Sequence, residues 1–267
     1  MFKGKTRQAS PIAIQKAREL LDVLCVDSPE HIDVEKIAIN LGAMVVYREL
    51  RVEQGRLIRT RGRKSAVLVV RRDLQGTPQA RFVIAHEIGH MRCHPQLDQF
   101  KLCSSRDMSD YWSDGVEAEA NQFAAELLMP RRLFQLDCDI SHPSLHAVGV
   151  LAKKYGTSLM ATGIQFVHYA PEKCALVFSR AGVVVWVKKH AEFGCYIGRG
   201  HRLLPGNEGS YAADLHAGRT APDHPMPVTA DCWTDSEWAQ GRDFWEHSLC
   251  WHDGPTTCVL TLLRRRD

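Results

Sequence analysis

The chain has 267 residues, 45% of them hydrophobic and 24% charged, with a formal net charge of +3 at pH 7. That balance suits a globular protein with a substantial core; it is too weakly basic to imply nucleic acid by itself, and no apolar run reaches the length of a membrane-spanning helix. The nine cysteines are scattered and form no C-x-x-C pair, and the basic start Met1–Lys5 leads into no apolar run, so the reading is a cytoplasmic protein with reduced thiols.

Residues 1–10 read as a mobile tail. Ile14, Ala17, Leu20, Leu21 and Leu24 recur at helical spacing and predict an amphipathic helix over 13–24. A short helix follows over 34–41, with Asp33 as its N-cap and Gly42 as its stop. The period then changes to that of strands at 43–47, 55–59 and 65–70. Two helices and a small sheet leading into a third helix give an α+β layout. If the strand at 65–70 lies at the sheet edge, an extended peptide could add to it as a further strand.

The third helix is bounded on both sides. Thr77 is a good N-cap, Pro78 suits the first helical position, and Pro95 disfavours helix beyond His94. Within it stands Ala85-His86-Glu87-Ile88-Gly89-His90. Histidines four residues apart project from one face and can reach one metal ion. The carboxylate between them can take a proton from a bound water, which makes this the H-E-x-x-H pattern of zinc hydrolases. The bland alternative is a helix with two surface histidines and an accidental glutamate; both helix ends and the buried line Phe82, Ala85, Gly89 weigh against it. Gly89 costs about 1 kcal/mol relative to alanine inside a helix, so another element is expected to pack closely there.

Residues 96–113 read as a polar loop, and 115–130 as another helix with Ala120, Phe123, Ala124, Leu127 and Leu128 on its buried face. Catalytic zinc takes three protein ligands and keeps one position open for water. Glu117, on or beside that buried face, is the chosen third ligand after His86 and His90, with Asn121 one turn later supporting the site from behind. Two alternatives stand beside it: Asp114 and Glu117 as a capping box, and Glu119 as ligand, although Phe123 one turn on offers that residue no polar support. His94 lies about 12 Å along the axis from His86, too far to share its ion. Glu87 is the general base. Tyr111, His94 and nearby arginines are unranked candidates for stabilising the oxyanion, and manganese is an alternative occupant to zinc.

With both helices in view, the chain resembles the ImmA/IrrE family of zinc metalloendopeptidases. The resemblance rests on Ala17–Leu21, Ile37-Ala38 and Leu41-Gly42, then Arg81–His90, then Glu117–Pro130, in order and spacing over roughly 12–165. It implies a zincin-like, gluzincin-type domain with His86, His90 and Glu117 on zinc and Glu87 as base. It also implies a cytosolic protease that cuts a helix-turn-helix repressor of the XRE type and so releases stress-response or mobile-element genes.

Beyond the metal helices, 144–155 and 158–166 flank Gly156 as a helix-turn-helix-like pair. Its second helix offers only Gln165 for reading bases, so packing or repressor docking is the favoured role. From residue 171 the chain is β-rich, with hairpins over 173–189 and 245–263. Its tryptophans Trp233, Trp238, Trp245 and Trp251 suit a small core or a ligand pocket. The resemblance suggests a GAF-like sensory domain there. Its histidines lack paired spacing, so no second metal site is expected. The resulting division is a tail at 1–10, a metalloprotease domain at 11–140, the helix-turn-helix-like segment at 141–168 and a smaller β-rich domain at 169–267. The competing class is a DNA-binding regulator without peptidase activity, resting on Arg51, Arg56, Arg59, Arg61, Arg63, Lys64, Arg71 and Arg72. Direct nucleic-acid binding is not the favoured reading, because such a run more often forms a solvated strand face or a landing site for an acidic partner.

Overall fold

The computed structural model describes residues 11–59, 65–96, 101–104, 115–203, 209–235 and 237–266. The tail expected at 1–10 lies outside these, as do Tyr111, Asp114, Arg61, Arg63 and Lys64. The chain forms two compact units. The first holds the described residues up to Leu133 together with Lys154–Ser158; the second holds Phe134–Lys153 and everything from Leu159 onward. The residues read as a separate helix-turn-helix-like segment are thus shared between them. Among the described residues no helix is long and apolar enough to cross a membrane.

The first unit begins with α1 (Pro11–Val23) and α2 (Val34–Asn40), the latter capped by Asp33, whose carboxylate accepts from Lys36 N–H. Strands β1 (Ala43–Arg48), β2 (Glu53–Arg59), β3 (Ala66–Arg71) and β4 (Lys101–Ser104) form one sheet in the order β1-β3-β2-β4. β1 runs parallel to β3, and the other two pairings are antiparallel. Two sequence expectations change here. The strand at 65–70 is internal, held by β1 on one side and β2 on the other, so no peptide can add to it; the edge on the β2 side is β4. Part of the expected loop is that edge strand.

Helix α3 (Pro78–Cys93) starts as the sequence predicts, with Thr77 Oγ1 accepting from Ala80 N–H and Pro78 in the first turn, and His94 is its C-cap residue. It packs on β2 and β3 and against α1, α2 and α4 (Val116–Leu128). Apolar residues of α1, α2, β3, α3 and α4 make one core, including Leu21, Ile37, Leu68, Ile84, Ile88 and Phe123. Gly89 is where α3 and α4 meet most tightly. A Cβ there would lie 3.1 Å from the Ala120 backbone and 3.2 Å from Phe123 Cβ, which accounts for a glycine in mid-helix. The Glu126 carboxylate, buried on α4, accepts from Arg18 Nε at 2.8 Å and tethers α1.

After α5 (Arg131–Asp137) come α6 (Leu145–Tyr155) and α7 (Leu159–Tyr169). The turn between them uses Gly156 at φ 61°, where a side chain would be strained. The second unit's sheet is antiparallel, in the order β6-β5-β9-β8-β7: β5 (Cys174–Arg180), β6 (Val183–Lys189), β7 (Met226–Thr229), β8 (Asp243–Asp253) and β9 (Thr256–Arg265). Both expected hairpins are present. The short β7 and α8 (Tyr211–His216) are additions to the sequence reading. One face of the sheet packs with α8 around Phe193, Trp233 and Phe244. On the other, α7 approaches so closely that a Cβ at Gly163 would lie 2.9 Å from Leu176 Cδ2. That contact gives α7 a packing role. Every cysteine whose side chain is described is a free thiol.

Candidate metal centre

The site is built by two helices crossing at Gly89. On α3, His86 and His90 fall one turn apart on the side facing α4, and both are buried. On α4, Glu117 lies in the first turn and Asn121 one turn later. The structure brings three of these groups to one point. His86 Nε2 and His90 Nε2 are 3.0 Å apart, and Glu117 Oε2 lies 3.1 Å from the first and 3.4 Å from the second. Their ligand atoms form a cluster able to hold a metal ion.

Two observations test the fit to zinc. Donors about 2.0–2.1 Å from a tetrahedral zinc lie about 3.3 Å from one another, and the three separations bracket that value. The second is the tautomer of His86. Asn121 Oδ1 stands 2.8 Å from His86 Nδ1; a carbonyl oxygen only accepts, so Nδ1 carries a proton, and in the neutral ring Nε2 then presents a lone pair to the cluster. Histidines that bind metals are oriented in this way by a partner on the other nitrogen. Two imidazoles and one carboxylate are also the donor set of hydrolytic zinc.

Glu87 is fully buried on α3 between the two histidines in sequence. Strand β2 passes directly against it. A Cβ at Gly55 would sit 2.8 Å from Glu87 Oε1 and 2.4 Å from Val83 Cγ1, so only glycine lets the strand come this near. The pairing of β2 with β4 shifts register at the same place, between Glu53 and Gly55. Sequence reasoning did not single out Gly55. Its signal was present: a lone glycine inside a strand pattern marks a bulge or a close approach of backbone.

The other candidates go elsewhere. Glu119 Oε2 lies 3.5 Å from His94 Nε2, which is also 3.1 Å from the carbonyl of Val116. His94 therefore links the end of α3 to the start of α4 and is not in the three-residue cluster. The first helical residue of α4 follows Gly115, which gives no side-chain cap. Tyr111 and Asp114 fall outside the described residues.

Among the described residues of the basic stretch, Arg56, Arg59, Arg71 and Arg72 are engaged within the unit. Arg56 pairs with Glu53, Arg71 with Asp73 at 2.6 Å and Arg72 with Glu49 at 3.7 Å. Arg59 donates to the carbonyls of His90, His94 and Pro95. Arg81, five residues before His86, donates to the carbonyls of Ile32 and Gly156, and burial lowers its pKa.

Residues 38–166 match the family model of the IrrE N-terminal-like domain, Peptidase_M78. No curated protein gives a significant match. A solved structure described as a Mycobacterium tuberculosis transcriptional regulator superposes with a TM-score of 0.58, covering 96% of this chain and 88% of its own at 14% sequence identity. At that identity the likeness is one of fold.

Proposed function

We propose that this chain, which belongs to the ImmA/IrrE family through residues 38–166, is a zinc-dependent endopeptidase that cuts a transcriptional repressor of the XRE helix-turn-helix type. The observation that carries the reading is the convergence of His86 Nε2, His90 Nε2 and Glu117 Oε2 at 3.0–3.4 Å, with Glu87 on the same helix. His86, His90 and Glu117 are assigned as the metal ligands, with Asn121 fixing the His86 ring. Zinc bound there would supply a Lewis acid for the scissile carbonyl and a water whose pKa falls to about 7; manganese is the alternative occupant.

Glu87 is the proton carrier. Its carboxylate takes the proton of the attacking water and returns it to the leaving amine. Its burial between α3 and β2 keeps that carboxylate out of bulk water. The proposed site stands on two helices, and Gly89 and Gly55 set how closely α4 and β2 approach it. An extended substrate segment finds its open sheet edge at β4 rather than at β3. Cutting the repressor would release stress-response or mobile-element genes in the cytoplasm, with the β-rich second unit as the GAF-like sensory part. The repressor and the sensory role rest on the family resemblance.

The second reading is a transcription regulator without peptidase activity, favoured by the description of the structural neighbour. The ion pairs of Arg56, Arg71 and Arg72 count against it as a phosphate-binding surface. A cleavage assay decides. The chain is mixed with an XRE-type repressor encoded beside its gene, with zinc, with manganese, with chelator, and as Glu87→Gln. We expect one metal-dependent cut that Glu87→Gln removes while still binding metal. An intact repressor with metal bound, together with salt-sensitive binding of the chain to duplex DNA, would overturn the peptidase reading.

A further inference from the structure

We propose that Arg59 is a positioning residue of the metal centre: from β2 it caps the last turn of α3 and thereby holds His90 in place. The inference rests on the metal-site reading above. The last four carbonyls of a helix lack partners within the helix, and many helices answer this with a glycine just past the end, whose N–H and its successor's close back on them. Helix α3 has no such ending. His94 stands at the cap with φ −127° and ψ 57°, and the next residue is Pro95, which has no N–H to give.

Arg59 adds donors from another element to this helix end, where His94 N–H already donates to the His90 carbonyl at 3.0 Å. Its Nη2 donates to the carbonyl of His90 at 3.1 Å, and its Nη1 to those of His94 at 3.2 Å and Pro95 at 3.0 Å. The planar guanidinium spans these acceptors as a fixed fork, which a lysine ammonium cannot do. Its charge also suits the negative end of the helix dipole.

The consequence falls unevenly on the two histidines. His86 lies in the body of α3 and has Asn121 behind its ring. His90 lies in the final turn, the part of a helix that frays first. Arg59 therefore acts on His90 through the backbone and touches neither substrate nor metal.

The test uses the full chain in four forms: parent, Arg59→Gln, Arg59→Lys, and Arg51→Gln as a control at an exposed arginine. Amide hydrogen exchange is measured without metal, zinc affinity by competition with a chromophoric chelator, and cobalt binding by its visible spectrum. For Arg59→Gln we expect faster exchange at 91–94 with 83–88 unchanged, zinc affinity weaker by roughly tenfold and an altered cobalt spectrum. Arg59→Lys should fall between it and the parent, and Arg51→Gln should match the parent. Unchanged exchange and affinity in Arg59→Gln would overturn the proposal, as would a uniform rise in exchange across both units. A parent that binds no zinc would sink the metal reading, while the exchange measurement would still decide the cap.

Discussion

Two buried polar clusters, one in each unit, are built in opposite ways. In the second, Glu246 and one ring nitrogen of His247 meet complementary partners. Glu246 Oε1 accepts from Ala212 N–H and from Ser248 Oγ, Oε2 accepts from Trp233 Nε1, and the neighbouring His247 accepts from Leu145 N–H through Nδ1. These adjacent residues of β8 cap two helices, Glu246 at the start of α8 and His247 at the start of α6. In the first unit, the His86 lone pair faces the Glu117 carboxylate and the second imidazole at about hydrogen-bond distance. Acceptor against donor is how a fold stabilises buried polarity. With the His86 proton on Nδ1, its Nε2 and the Glu117 carboxylate are both acceptors and are reconciled by a metal ion or a proton between them. Burial alone would rank Glu246 and His247 beside His86 and His90; the direction of the partners separates framework from site.

That contrast can be broken by adding the cation. Zinc at a thousandfold excess over its dissociation constant should stabilise the unit that binds it by about 4 kcal/mol. The expected result is slowed amide exchange across the first unit with the second unit unchanged. Protection appearing in the second unit alone would invert the assignment.

A smaller and sharper test changes one side chain in each unit. Glu117→Gln should weaken zinc binding strongly, yet leave the metal-free protein as stable as the parent or slightly more so, since it relieves the crowding of acceptors. Glu246→Gln replaces one of the two oxygens that accept from Ala212 N–H, Ser248 and Trp233 with a donor and should destabilise the protein with or without zinc, by about 1–3 kcal/mol. Urea unfolding with and without chelator reads both. A Glu117→Gln variant that is destabilised without metal would place Glu117 in the framework.

Gly89→Val comes next. Its side chain would press on the Ala120 backbone and on Phe123 Cβ and push α4 off α3. Glu117 rides on α4 and the histidines on α3, so zinc affinity should fall further than stability does. Equal losses would show that the close approach serves packing alone.

The sequence discloses the metal helix far better than the sheet around it, and the reason is locality. Thr77, Pro78 and Pro95 act within one turn of the helix ends they define, and His86 and His90 are related by the helix repeat alone. Gly89 predicted a close neighbour, and α4 is that neighbour. Strand order is set by partners distant in the chain: β3 lies between β1 and β2 because its run from Ala66 to Val70 is buried along most of its length, a pattern that belongs to interior strands. The short α8 owes its start to Ser210 and to Glu246, a residue more than thirty positions later, so composition gives little warning of it. Choosing Glu117 over Glu119 required seeing which way each side chain points, since His94 draws the second away.

The smallest expected effect is a cancellation. Burial pushes the Glu246 carboxyl up to about 7 against the pull of Ser248, Ala212 and Trp233. Burial, aided by the neighbouring His146, draws His247 down to about 4. The folded state thus keeps the proton on Glu246 between pH 4.5 and 7 while the unfolded chain releases it, so this residue makes stability fall as pH rises through that window. His247 does the reverse. Between pH 6.5 and 4 the unfolded chain takes up a proton that the folded state refuses, so its contribution is lost as pH falls. Each slope is about 1.4 kcal/mol per pH unit, and the two oppose each other between pH 4.5 and 6.5. Unfolding followed by the fluorescence of the buried Trp233 should therefore show stability nearly flat across that range in the parent. Replacing His247 by asparagine, which can still accept from Leu145 N–H, leaves Glu246 unopposed, and stability should then rise on acidification from pH 7 to 4.5. Glu246→Gln should give the opposite slope. If both variants stay as flat as the parent, neither side chain holds its protonation state in the folded unit, and their likeness to the residues of the candidate metal centre would be closer than their partners indicate.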